Sequence, residues 1–375
     1  MDLTLTEGQK MIRDSARQLL EEHCPLSHVR AMQQELPGFS PELWQEMAQV
    51  GWMGLALPEE YGGVGGSPLE LCLLVEEHGR FLLPGPFVPT AVLGGQSIAR
   101  FGTEKQKADL LPAIASGDRI LTCCGVGPGG SWGSTAPEIV ATPSEDGFVL
   151  DGSAELVPYA HVADELIVAA RRRGEGATGL TMLLAAARAD GISFEPVTTV
   201  ALEPRYRVSL HGVPVPGSCV LGAVDGGTEV AQAIDEWGAA ASCAAMVGGA
   251  QRVLDMTIAY AADRHQFGRP IGSFQAVQHH CADMATAVIS SRYMAYEAIW
   301  RLSEGLTASQ EVSMAKAWVS DAYQQVCALG HQVHGAVGFT REHDLHLFTR
   351  HCYTLALDYG DGTHHRERVA KQLGL

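Results

Sequence analysis

The periodicity of the chain changes twice, and few folds accommodate such a change. Up to about residue 120, apolar side chains recur at helical spacing. From Ile120 to about Gly227 the spacing is replaced by short β-branched runs: FVLDG, ELIVAA, LTMLLAA, ISFEPV and YRVSLHGVPV. Glycine, proline and aspartate separate them, the pattern of an antiparallel sandwich or barrel. From Val230 helices return and are longer. The expected fold is therefore an α+β multidomain one. It comprises an N-terminal helical domain over 1–120, a middle β-sandwich or barrel domain over 121–227, and a C-terminal four-helix-bundle domain over 228–375. A length of 375 residues also calls for more than one core.

Local signals sharpen the helices. Thr6-x-x-Gln9, Ser67-x-x-Glu70 and Thr103-x-x-Gln106 have the form of capping boxes, in which side chains satisfy the free amides of a helix start. Ser40-Pro41 is an N-cap with proline at the first helical position. Thr307-x-x-Gln310 predicts the start of a late helix running to about Leu329. Between Gly238 and Ala250 nearly every residue is Gly, Ala, Ser or Cys, which lets another backbone approach closely.

Charge narrows the function classes. The formal net charge of −17 opposes general binding to nucleic acid or anionic membranes. It leaves room for an anionic small ligand held by a few local cations. No apolar run approaches the roughly 20 residues of a spanning helix, and no basic flank precedes an apolar block at the start. The nine cysteines include no CxxC pair, and reduced thiols in the cytoplasm are expected.

Several motif-like runs have plainer readings. Gly125-Val-Gly127-Pro-Gly-Gly130 satisfies GxGxxG, but Pro128 interrupts it and no helical pattern follows, so a glycine-rich turn fits better than a dinucleotide fingerprint. His331, His334, His343, His346 and His351 lack metal-site spacing. GxSxG is absent.

One constellation is informative. Arg264-His-Gln-Phe267-Gly268-Arg-Pro270-Ile271 follows the small-residue helix, and Phe274-Gln275 opens the next. An arginine at a helix end suits phosphate oxygens, and Gln275 stands where backbone amides are free. The residues alone allow either a diphosphate site or an ordinary interhelical turn.

The segment RHQFGRPIGSFQAVQHHCADMA resembles the signature of the acyl-CoA dehydrogenases, roughly R-x-x-F-G-x-P-I-x-x-F-Q followed by L-A-D-M. Gln332-Val-His-Gly335-Ala336-Val-Gly338-Phe339-Thr340 is similar to the family's QxxGGxGF/Y-T element, with alanine for the second glycine. LPEEYGG, TEKQKADLLPAIASGDRI and PYAHVADELIVAAR are family-like too. The resemblance spans nearly the whole chain. It implies a tetramer holding FAD between subunits, with Arg264, Phe267 and Gln275 reaching the neighbour's FAD and Gln332, Gly335 and Ala336 lining the same cofactor. It implies α,β-dehydrogenation of an acyl-CoA, with electron-transfer flavoprotein as acceptor. A carboxylate takes the α-proton while the β-hydrogen leaves as hydride.

Three departures from the family pattern matter. In CCGVGPGGSWGS, only Pro128 and Ser131 survive of the usual Y-x-x-T-E-P-x-A-G-S-D. The W-I-T strand that backs the flavin corresponds to Leu156-Val157-Pro158. The glutamate-glycine-threonine of the usual base is missing: an ungapped count from Gln332 puts Tyr359 at the glutamate, and a two-residue slip puts Asp361 there. Asp361 is one base candidate, although it also reads as a cap of the final helix. Glu236, about two residues from where some members carry their base, is the other. The third alternative is that this chain has no base. It then pairs with a second, base-bearing chain in a heterotetramer, as some bacterial members do. A flavin oxidase or monooxygenase on the same scaffold is a further alternative.

Overall fold

In the computed structural model, residues 5–126, 138–174 and 179–375 are described. Six helices come first: α1 (Glu7–His23), α2 (Leu26–Met32), α3 (Pro41–Gln49), α4 (Pro68–Phe81), α5 (Gln96–Phe101) and α6 (Glu104–Ala115). Thr6, Ser67 and Thr103 complete both halves of their capping boxes. Ser40 accepts from the Leu43 amide, with Pro41 in the first turn. A π-helical segment over Val88–Gly95 leads into α5 and packs on the first strand and on the long helix α7 described below. Its glycines gave no periodic signal.

The sheet is built from β1 (Leu121–Cys124), β2 (Val140–Ser144), β3 (Gly147–Pro158), β4 (Glu165–Arg172), β5 (Leu180–Ala186), β6 (Ile192–Val197), β7 (Arg205–Pro216) and β8 (Val220–Leu221). Its order is β6-β7-β3-β2-β4-β5-β8, with β1 joined to β4. The antiparallel expectation needs one correction, because β1 and β2 both run parallel to β4. Along the chain, the β2–β3 hairpin stands between β1 and β4 and brings the chain back in the same sense. Val157, Leu166, Val168, Leu183, Val208 and Leu210 form part of the sheet's own core.

Five helices follow: α7 (Gly227–Asp263), α8 (Gln275–Ser303), α9 (Ser309–His334), α10 (Leu345–Leu357) and α11 (Gly362–Gln372). The small-residue run of α7 does what its composition suggested. A Cβ at Gly248 would lie 1.8 Å from the Glu76 carbonyl oxygen, and one at Gly79 would lie 1.9 Å from that of Ala245. Helices α4 and α7 therefore cross with their backbones in contact, which no larger residue allows at these points. The start expected at Thr307 is displaced: α9 begins at Ser309 with Ala308 at the N-cap position and no side-chain cap. Arg301 Nε takes the Thr307 carbonyl instead, at 3.1 Å. Among the described residues, no helix is long and apolar enough to cross a membrane.

Candidate cofactor and substrate site

Between α7 and α8 the chain makes a two-stranded hairpin, β9 (His265–Gln266) and β10 (Arg269–Pro270). Its tip is Phe267-Gly268, with φ of 52° and 78°. Positive φ at both central positions is the geometry of the tight hairpin turn, and a phenylalanine tolerates it poorly. Phe267 is 93% exposed, its ring set edge-to-face with that of Phe274 at 6.1 Å. Phe274 in turn carries Arg269 over its face at 4.1 Å. Arg264 and Gln275, at the two feet of the arm, are exposed.

At the far end of α9 the chain turns sharply at Gly335 (φ 64°), where an added Cβ would meet nothing within 4 Å. Gln332, Gly335 and Ala336 are all exposed. An exposed aromatic in a costly backbone conformation, a cation with no ion pair among the described residues, and an open glycine turn fit a large anionic aromatic ligand. Their chemistry suits FAD, since a guanidinium matches phosphate oxygens and an exposed phenyl ring matches an aromatic face.

Val157, Pro158 and Ser131 are the other residues expected at the cofactor. Val157 has no exposed surface and is packed into the sheet core. The pairing of β3 with β7 shifts between Ala154 and Val157, where Leu156 has φ 55°, and Val157 then pairs with Tyr206. Pro158 lines a small cavity and its carbonyl accepts from Thr122 Oγ1 at 2.8 Å. Ser131, with the rest of 127–137, lies outside the described residues.

The turn between α10 and α11 carries the region of the expected base. Asp361 is the N-cap of α11, its side chain accepting from the His364 amide at 2.8 Å. Glu236 accepts from Gln232 Nε2 at 2.9 Å and from Ser309 Oγ, and Arg368 lies 3.9 Å away. It ties α7 to α9 and α11 beside a cleft that does not include the α10–α11 turn. Two residues further along α7 stands Gly238, and the Tyr359 ring lies directly on it.

Tyr359 is held from every side. His365 Nε2 donates to its carbonyl at 2.9 Å. Lys316, with no exposed surface, donates to the carbonyls of Gly360 at 2.8 Å and Ala356 at 3.1 Å. Before it, Asp358 takes both Arg205 Nη atoms, at 2.8 and 2.6 Å, and Glu203 accepts from the same guanidinium. Burial works against the Arg205 charge, but Asp358 and Glu203 outweigh it and hold its pKa above the ordinary value. Burial raises the pKa of Tyr359 well above the ordinary phenol value, so it is no base at neutral pH. The space left here is a cavity of about 90 Å³ lined by Pro158, Tyr159, Ser242, His351, Asp358 and Tyr359, among others. Ligand pockets begin at roughly 300 Å³.

Sequence reasoning missed Gly238, Arg205 and Lys316. Gly238 was signalled only as one of many small residues. Arg205 and Lys316 act through partners remote in sequence and carry no motif.

Residues 6–118 match the family described as acyl-CoA dehydrogenase, N-terminal domain, and residues 225–374 match acyl-CoA dehydrogenase, C-terminal domain. The chain is 30% identical to acyl-CoA dehydrogenase FadE27 of Mycobacterium tuberculosis, over 100% of this chain and 99% of that one. It is 28% identical to a 3-(aryl)acrylate reductase of Clostridium sporogenes, covering 98% and 99%. Its fold is similar to a chain of the ChsE4-ChsE5 complex from Mycobacterium tuberculosis, with a TM-score of 0.91, 29% identity, and coverage of 100% and 99%.

Proposed function

We propose, for a chain that belongs to the acyl-CoA dehydrogenase family, the part of a subunit that completes an FAD site and leaves the base to a second, related chain. Membership makes it part of an FAD-dependent oxidoreductase acting on the CH–CH bond of acyl-CoA thioesters. Bound FAD supplies the hydride acceptor. What this chain supplies is the exposed arm, Arg264 and Phe267 with Gln275, together with the Gln332–Ala336 turn, presented toward a neighbouring subunit.

The observation that carries the proposal is the packing of Tyr359 on Gly238. Tyr359 stands where an ungapped count from Gln332 puts the base, beside a cavity of about 90 Å³. A base must reach the proton it abstracts within hydrogen-bond distance, and no carboxylate among the described residues is free to do so there. Asp358 is bound to Arg205, Asp361 caps a helix, and Glu236 is tied to Ser309. The likeness to a chain from a two-component complex supports a mixed assembly.

In this reading the partner chain binds the acyl-CoA and removes the α-proton, and electrons pass on to an electron-transfer flavoprotein. The same bond chemistry run backward is a reduction, as the name of the Clostridium relative indicates. The test is the flavin absorption of the chain purified alone and co-expressed with a base-bearing family member. Stoichiometric FAD only in the mixed assembly supports the proposal; a homomeric protein that holds FAD and oxidises acyl-CoAs overturns it.

A further inference from the structure

The exposed residues expected at FAD come from two separate helix ends. Arg264 and Phe267 follow α7, whereas Gln332, Gly335 and Ala336 close α9. One ring pair joins the two ends. Tyr260 and His334 stack with centroids 4.4 Å apart and planes at 22°, and Tyr260 Oη donates to the His334 carbonyl at 3.5 Å.

Both residues are coupled directly to the exposed groups. The Tyr260 carbonyl accepts from the Arg264 amide at 2.8 Å, terminating α7 one residue before the arm. The His334 carbonyl immediately precedes the Gly335 turn. His334 is itself 4% exposed. Its Nδ1 donates to the Gly330 carbonyl at 2.7 Å, and His343 stands edge-on to it at 4.8 Å. The ring therefore has little freedom to turn, and neither has Tyr260 against it.

We infer that Tyr260 and His334 are positioning residues for the cofactor. Their stack sets the distance between the Arg264 cation and the Gly335–Ala336 backbone, so that both meet one FAD. The inference rests on the reading that these two segments hold FAD. A stacked pair with two fixed partners holds such a spacing to within a fraction of an ångström, and bidentate recognition of a diphosphate needs that precision.

The test uses the FAD-binding assembly as purified, stripped of cofactor and titrated with FAD by flavin fluorescence, beside the melting of the FAD-free protein. Tyr260→Ala and His334→Ala are expected to bind FAD roughly three- to tenfold more weakly. His334→Phe, which keeps the ring, is expected to return within about twofold of wild type, with FAD-free melting no higher than that of His334→Leu. If an alanine variant does not fold, His334→Leu fills the volume without a π face and takes its place. Unchanged FAD affinity in the ring-less variants, with Arg264→Gln still weakening FAD, overturns the inference and leaves the site reading intact. A phenylalanine variant as weak as the leucine one also overturns it. If Arg264→Gln has no effect either, the site reading itself fails.

Discussion

Tyr359 lies against Gly238 so closely that a methyl group added at Gly238 would come within 2.2 Å of the tyrosine's Cε1. Glycine inside an α-helix ordinarily costs roughly 1 kcal/mol relative to alanine. Here the clash reverses the sign, because overpacking costs about 1–3 kcal/mol. Gly238→Ala is expected to destabilise the protein, and Tyr359→Ala to cost about 3–5 kcal/mol through the cavity it leaves. Combined, the two should cost less than their sum, since the new methyl group occupies part of the cavity. Urea midpoints of the three variants check this; additivity would mean the ring does not rest on the helix.

The Arg205 guanidinium is 3% exposed and shared by Asp358 and Glu203. Removing one member of a buried ion pair costs about 3–5 kcal/mol. Arg205→Met leaves the buried Asp358 carboxylate and the half-buried Glu203 without their shared cation, whereas Asp358→Asn leaves the arginine with Glu203. The first is expected to be the more damaging in thermal unfolding, and the reverse order would contradict the network described.

The α10–α11 turn is expected to be sensitive to acid. Burial, and then the Lys316 charge, pushes His365 down to about 3. Its Nδ1 is buried with no hydrogen-bond partner among the described residues, so a second proton there finds no acceptor. The folded pKa lies below the unfolded value near 6.5, so the unfolded chain binds the extra proton. Stability therefore falls as pH drops below about 6.5, by about 1.4 kcal/mol per pH unit from this group. His365→Gln should flatten the slope of denaturant midpoint against pH by about one proton.

Lys316 works in the alkaline range. Burial pushes it down to about 8, from an ordinary value of 10.5. The protonated buried amine weakens the fold below pH 8, and that penalty is relieved as pH rises from about 8 to 10.5. Stability of wild type relative to Lys316→Met should therefore rise across that window. A flat difference would mean that the amine is already neutral or well solvated.

Phe267, 93% exposed, contributes little to the isolated fold. Phe267→Ala is expected to leave the melting of the FAD-free protein within about 0.5 kcal/mol of wild type. FAD affinity of the assembly should drop roughly tenfold, as loss of a stacked aromatic anchor does. Equilibrium dialysis against FAD separates the two effects.

Much of the fold was legible because it rests on local rules. Capping boxes at Thr6, Ser67 and Thr103 and the loss of helical period after Ile120 act within a few residues. The small-residue run of α7 announced a close helix crossing, and Gly79 on α4 is where it occurs. The parallel pairing of β1 and β2 with β4 was not legible, since strand sense depends on the path of the whole sheet. In the candidate site, the helix breaks at Arg264–Gln275 and at Gly335 could be read because glycine and proline mark them. The Tyr359–Gly238 packing, the Arg205 pair and the Tyr260–His334 stack are contacts between distant segments, and single residues give no sign of them. Asp361 had two readings in sequence, and the amide of His364 shows that it caps.

In the proposed assembly this chain helps hold FAD but supplies no base. The most direct measurement mixes acyl-CoA anaerobically with the assembly of this chain and a base-bearing relative, and follows flavin bleaching. Asp361→Asn and Glu236→Gln in this chain are expected to leave the rate of bleaching within about twofold of wild type, while removal of the partner's carboxylate abolishes it. A loss of a hundredfold or more from either substitution, with FAD still bound, would contradict the account.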